Sequence, residues 1–185
     1  MSPAELDRQP TLEGELVLLR PLRPGDWDAL YAVASDPLIW EVHPAHDRWQ
    51  EPVFRDYFAD ALEHGGALAV IDRRDGGMAG SSRFQNFDPA DGGSVEIGWT
   101  FLARAYWGGR YNREMKRLML EHALNSVERV VFRVGETNWR SRGAMEKIGG
   151  RLTDRIDITQ LPAGPARHVI YEIDRQSFAG GPLSA

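Results

Sequence analysis

Short apolar runs of strand character alternate along this chain with segments whose apolar residues recur at helical spacing. That alternation confines it to a sheet covered by helices. Leu16 to Arg20, closed by Pro21, reads as a first strand. After the turn Pro24-Gly25-Asp26, Trp27, Leu30, Tyr31 and Ala34 fall on one helical face, with Asp26 as N-cap. A second helix is expected from Glu51 to Glu63, stopped by Gly65-Gly66. Ala67 to Asp72 and Met78 to Phe87 flank the turn Asp75-Gly76-Gly77 as a hairpin. Ser94 to Leu102 follows, its alternation setting Val95, Ile97, Trp99 and Phe101 against Glu96, Gly98, Thr100 and Leu102. A helix is expected over 112–125, a strand over 129–134 and a helix over 138–148. Two last strands, near 151–159 and 167–173, are joined by a Pro-Ala-Gly-Pro turn at 162–165.

The order is β α α β β β α β α β β, with one strand–helix–strand crossover that is right-handed if both strands share a sheet. The expected class is α/β (α+β): a mixed, mostly antiparallel twisted sheet of about seven strands flanked by about four helices. The 185 residues fit one domain, placed at 11–175, with 1–10 and 176–185 as flexible ends. The absence of cysteine excludes disulfide frameworks, iron–sulfur clusters and a cysteine nucleophile. A net charge of −5 argues against a nucleic-acid partner. The N-terminus lacks a secretory pattern, and the purest apolar run, Ala67 to Ile71, is far too short to span a membrane. The expectation is a soluble, cytoplasmic protein.

Phe101 to Met115 runs from strand through Gly108-Gly109 into a helix. Such a turn leaves backbone N–H groups free at a positive helix end, which suits a phosphate, and Arg110 adds a charge; the alternative is an ordinary tight turn. Downstream, Ser141, Ala144, Met145 and Ile148 share a helix face. The Ser141 hydroxyl therefore meets either a carbonyl one turn back or a ligand, while Asn138 is most simply an N-cap. Glu96 faces solvent or a cleft; in a cleft it is the natural general base. The five histidines show no metal-ligand spacing beyond His43-x-x-His46, so no metal site is expected. Trp40, Trp49, Phe54 and Phe58 line a pocket or, more simply, fill the core.

Glu96-Ile-Gly-Trp99, Tyr106-Trp-Gly-Gly-Arg-Tyr-Asn-Arg-Glu114 and Asn138-Trp-Arg-Ser-Arg-Gly-Ala-Met-Glu-Lys-Ile-Gly-Gly150 together resemble the GNAT N-acetyltransferases, specifically the RimJ/RimL-like branch. The opening strand with Arg20-Pro-Leu-Arg-Pro-Gly-Asp26 is similar to the same branch, and the likeness covers about residues 11–175. It implies acetyl-CoA as donor, its pyrophosphate on the loop of Gly108, Gly109, Arg110, Tyr111 and Asn112. Its pantetheine arm would run beside Trp99, Phe101 and Leu102, bonded by Asn138. The acetyl group would pass directly to an amine, with Glu96 as base and a backbone N–H near Trp99 to Phe101 on the carbonyl oxygen. Ser141 would serve the leaving thiolate, with Tyr106 or Tyr111 as substitutes.

The resemblance implies a protein N-terminal amine as acceptor. The alternatives are a small amine (antibiotic, polyamine or amino acid) or a CoA-binding module without turnover. A monomer or homodimer is expected. Two positions depart from the family loop: Ala105 stands where Gln or Arg is usual, and Arg110 where Gly or Ala is usual. An Arg110 forced to positive φ would cost about 1–2 kcal/mol.

Overall fold

A computed structural model describes residues 5–161 and 164–184; Pro162 and Ala163, half of the expected last turn, lie outside the described residues. The strands are β1 (Leu12–Glu13), β2 (Val17–Pro21), β3 (Ala67–Asp72), β4 (Met78–Asp88), β5 (Ser94–Leu102), β6 (Arg129–Gly135), β7 (Arg151–Leu161) and β8 (Gly164–Asp174). The helices are α1 (Trp27–Ala34), α2 (Pro37–Trp40), α3 (Glu51–His64), α4 (Arg110–Leu124), α5 (Trp139–Lys147) and α6 (Arg175–Ala179). One sheet takes the order β1-β2-β3-β4-β5-β6-β8-β7, antiparallel throughout except between β5 and β6. The mixed class is the expected one. Eight strands and six helices replace seven and four because β1, α2 and α6 are too short to leave a periodic apolar pattern.

The sheet is covered on both faces. Leu68 and Val70 of β3 point into the cluster beneath α4, whereas Ala67 and Ala69 meet Phe54 and Ala61 of α3 on the other side. That two-sided burial explains why β3 reads as a continuous apolar run. Met115, Leu118, Met119 and Leu120 of α4 are all buried, each stabilising the fold by roughly 1.5–3 kcal/mol relative to exposure. Glu114 fixes α4 against the sheet: its carboxylate accepts the N–H groups of Glu15, Leu16 and Val17 at 2.9, 2.7 and 2.8 Å.

β5 departs from the expected alternation. Val95, Ile97 and Leu102 join the α4-side core, but Trp99 and Phe101 lie with the α1–α3 aromatic cluster. The cause is local. Trp99 takes φ 52°, and the β4–β5 register slips between Ser81 and Arg83. One bulged residue moves every later side chain to the opposite face. A stacked Tyr57 ring 5.0 Å away and the Tyr57 hydroxyl on the Trp99 carbonyl (3.0 Å) hold this strained residue in place.

At the C-terminus, where the sequence leaves no pattern, Asp174 and Ser177 form a capping box for α6, Phe178 packs against the core and Leu183 is buried. Among the described residues no helix is long and apolar enough to cross a membrane.

Candidate active site

β5 and β6 pair only from Ser94 with Arg129 to Glu96 with Val131. Beyond Glu96 the two strands diverge, so the β6-facing backbone groups of Gly98 to Leu102 have no strand partner. The gap opens into a cleft of about 930 Å³, floored by the two strands and closed by the starts of α4 and α5. Sequence-distant candidates converge here. Trp99, Phe101 and Leu102 line it from β5, Gly108, Gly109, Arg110 and Asn112 from the α4 entry, and Asn138 and Ser141 from α5.

The α4 entry has the features of an anion cradle. Gly108 and Gly109 take φ 104° and 112°, and a Cβ on either would meet nothing within 4 Å. Glycine is needed there for the backbone turn, and the space above it stays open. Gly109 caps α4 without a side-chain bond, and no acidic residue stands in the first turn. The first N–H groups of α4 thus lack intrahelical acceptors, and the helix dipole adds positive potential. Arg110 does not carry the strain considered above. It is the first helical residue and has no positive φ, because the two glycines absorb the turn.

On α5, Asn138 is the expected N-cap, its Oδ1 accepting the Ser141 N–H at 3.2 Å. Ser141 shares the cleft-facing side with Ala144, Met145 and Ile148, as its spacing predicts. Tyr111 is placed elsewhere. Its ring packs edge-on against Tyr106 and its hydroxyl lies 3.5 Å from Asp72, so of this residue only the backbone N–H addresses the cradle. Tyr106 lines the cleft, with its hydroxyl raised in pKa by burial and by its bond to Asp72. The hydrogen-bonded Arg74 guanidinium holds Asp72 down to about 2.

Glu96 is buried at 5% exposure, not solvated. Its carboxylate accepts Asn86 Nδ2 at 2.6 Å and faces the Arg133 guanidinium at 3.8 Å. It lies over Gly98, where a Cβ would come within 3.1 Å of Glu96 Oε1. Gly98 lines the cleft and Glu96 does not, so the carboxylate sits behind Gly98, near where β5 leaves β6.

Sequence reasoning missed several groups on the same walls. Lys116 is 3% exposed, donates from Nζ to Thr100 Oγ1 at 2.7 Å, and burial pushes it down to about 7. The signal is its spacing with Met119 and Ala123 on the buried face of α4. His43 and His168 also line the cleft. Burial, followed by the Arg48 charge, lowers His43 to about 3. Burial also lowers His168, whose Nδ1 is buried without a partner among the described residues. Arg140 stacks over Trp107 at 4.1 Å and bonds the Ile39 carbonyl, closing one rim.

A splayed strand pair thus meets an open helix start, leaving a cleft with a positive helix end on one wall. A sequence profile described as "Acetyltransferase (GNAT) domain" matches residues 17–151. The chain belongs to the GNAT acetyltransferase family, enzymes that use acetyl-CoA. No curated protein matches the sequence.

Solved structures resemble the fold closely. A GCN5-related N-acetyltransferase from Brucella melitensis superposes with TM-score 0.84 at 20% identity, over 100% of this chain and 86% of that one. A spermidine N-acetyltransferase from Vibrio cholerae, in complex with CoA and spermine, gives 0.65 at 12% identity over 89% and 99%. A ribosomal-protein-S5-alanine acetyltransferase from Vibrio fischeri gives 0.67 at 12% over 92% and 99%.

The cradle yields a direct prediction. Gly109→Ala forces a Cβ onto φ 112°, a strain of about 1–3 kcal/mol. Calorimetric titration should show acetyl-CoA affinity reduced about tenfold. Arg110→Ala should lose several-fold, with a weaker salt dependence, because only an exposed charge is removed.

Proposed function

We propose that this protein transfers acetyl from acetyl-CoA to the α-amine at a polypeptide N-terminus, in the manner of the RimJ/RimL-like branch. The observation carrying the chemistry is Glu96, a buried carboxylate at the point where β5 and β6 part. Bound acetyl-CoA supplies an acetyl thioester. The residues present fit it, with an open glycine cradle for the pyrophosphate and unpartnered strand edge for the arm. An amine is protonated near neutral pH and must lose a proton before it attacks, and Glu96 takes it, directly or through a water. Backbone N–H groups at the Trp99 bulge would stabilise the charge that develops on the carbonyl oxygen. Ser141, its hydroxyl on the cleft, donates to the departing sulfur.

An exposed apolar sheet edge supports a polypeptide acceptor. β7 is an edge strand of the sheet, and Leu152, Ile156 and Ile158 on it are 47%, 45% and 54% exposed. An extended chain can lie along such an edge. The structural resemblance to the S5-alanine enzyme agrees with this, and the resemblance to the spermidine enzyme keeps a small amine as the second reading. The net charge of −5 attracts a cationic amine of either kind.

The test is CoA release with peptides bearing a free α-amine, the same peptides blocked at that amine, and spermidine. Release with the free peptides alone is the expected result. Release with spermidine alone would establish the small-amine reading. No release with any amine would leave a CoA-binding module.

A further inference from the structure

The chain contains two lysines, Lys116 and Lys147, beside twenty arginines. Lys147 is exposed at the end of α5. Lys116 is enclosed beneath the bulge of β5, on the wall of the acetyl-CoA cleft. Its Nζ bonds Thr100 Oγ1, which is itself 2.8 Å from Ser82 Oγ, and sits 5.7 Å from the Phe132 ring centroid. Among the described residues it has no carboxylate partner, so only the Thr100 hydroxyl and the Phe132 ring face the ammonium form. Because Trp99 is bulged, Thr100 has turned to the α4 face, and this brings the amine to the strand along which the thioester arm would run.

We propose that Lys116 is a self-acetylation site, modified by acetyl-CoA bound in the cleft when no acceptor is present. The inference rests on acetyl-CoA occupying that cleft. The unprotonated Nζ attacks the thioester carbonyl carbon and the C–S bond breaks. Sulfur leaves with the electron pair and takes the proton that nitrogen gives up. Nε-acetyl-Lys116 and free CoA result, with no other reactant. Burial favours the reaction twice over: it raises the neutral fraction of the amine, and the amide product removes a buried charge. The added acetamide narrows the cleft beside Thr100, so the modified protein binds acetyl-CoA more weakly and the reaction limits itself.

The full chain is incubated with acetyl-CoA and no amine, and its intact mass and proteolytic peptides are measured while calorimetry follows acetyl-CoA binding. The expected result is one added acetyl group on the Lys116 peptide, retained in Lys147→Arg and absent in Lys116→Arg. Wild-type protein that binds acetyl-CoA and acetylates added amines, yet carries no label at Lys116, would overturn this inference and leave the proposed function standing. Label confined to Lys147 or the N-terminal amine would overturn it equally. Absence of acetyl-CoA binding would overturn both.

Discussion

Replacing Glu96 by glutamine should lower kcat by about 100-fold or more while leaving the acetyl-CoA Kd unchanged. The two effects separate because the groups are separate. Glu96 sits behind Gly98, whereas the cradle proposed for the pyrophosphate is built from Gly108, Gly109 and the first turn of α4. Glutamine is nearly isosteric and its carbonyl still accepts Asn86 Nδ2. Arg133 loses one carboxylate neighbour but keeps Asp157 at 2.9 Å. The substitution therefore removes the proton acceptor without opening a cavity, and a positioned base contributes typically 10²–10⁴-fold to rate. Steady-state kinetics with a fixed peptide amine, paired with calorimetry, measure both quantities. Retained turnover would move the base to another group, and His168 is next, a cleft histidine that burial holds neutral and whose Nδ1 has no partner among the described residues.

The period-2 and period-3.6 signals recovered every long element because each buries a full face of residues in the core. The ends of α3 and β5 fall within a residue of their turn chemistry. The α5 face was legible for the same reason, so Ser141 was found on the cleft. β5 shows where pattern reading fails. Alternation assigns Trp99 and Phe101 to the face of Val95 and Ile97, and no residue type in the strand announces the bulge that reverses them. That reversal turns Trp99 onto Tyr57 and Thr100 onto Lys116. Glu96 was readable as a candidate base but not as a buried one, because its burial depends on Asn86 and Arg133, brought in from neighbouring strands. Comparison with the family loop left open whether Arg110 must take positive φ. The structure shifts that strain onto the two preceding glycines, at no cost to the arginine.

Lys116→Met should stabilise the protein, and more strongly at pH 6 than at pH 9. An unperturbed lysine titrates near 10.4, and burial brings Lys116 to about 7. Between those values the unfolded chain binds the proton and the folded one does not, so this residue's contribution to stability rises with pH across that interval. Below about pH 7 both states are protonated and the folded state bears the full penalty of a buried ammonium. At about 1.36 kcal/mol per pKa unit the penalty is several kcal/mol, and recovering about 2 of them would raise Tm by roughly 4–8 °C in a chain of this length. Methionine suits the site, which adjoins Met115 and Met119 in the α4-side core. The groups facing Nζ are the Thr100 hydroxyl and the Phe132 ring, so no lost ion pair offsets the gain. Thermal unfolding of both proteins from pH 6 to pH 9 measures the difference, which should shrink as pH rises. A difference independent of pH would mean that water reaches Lys116 and keeps it charged. A gain in stability that shrinks with rising pH would show that the fold carries this buried amine at its own expense.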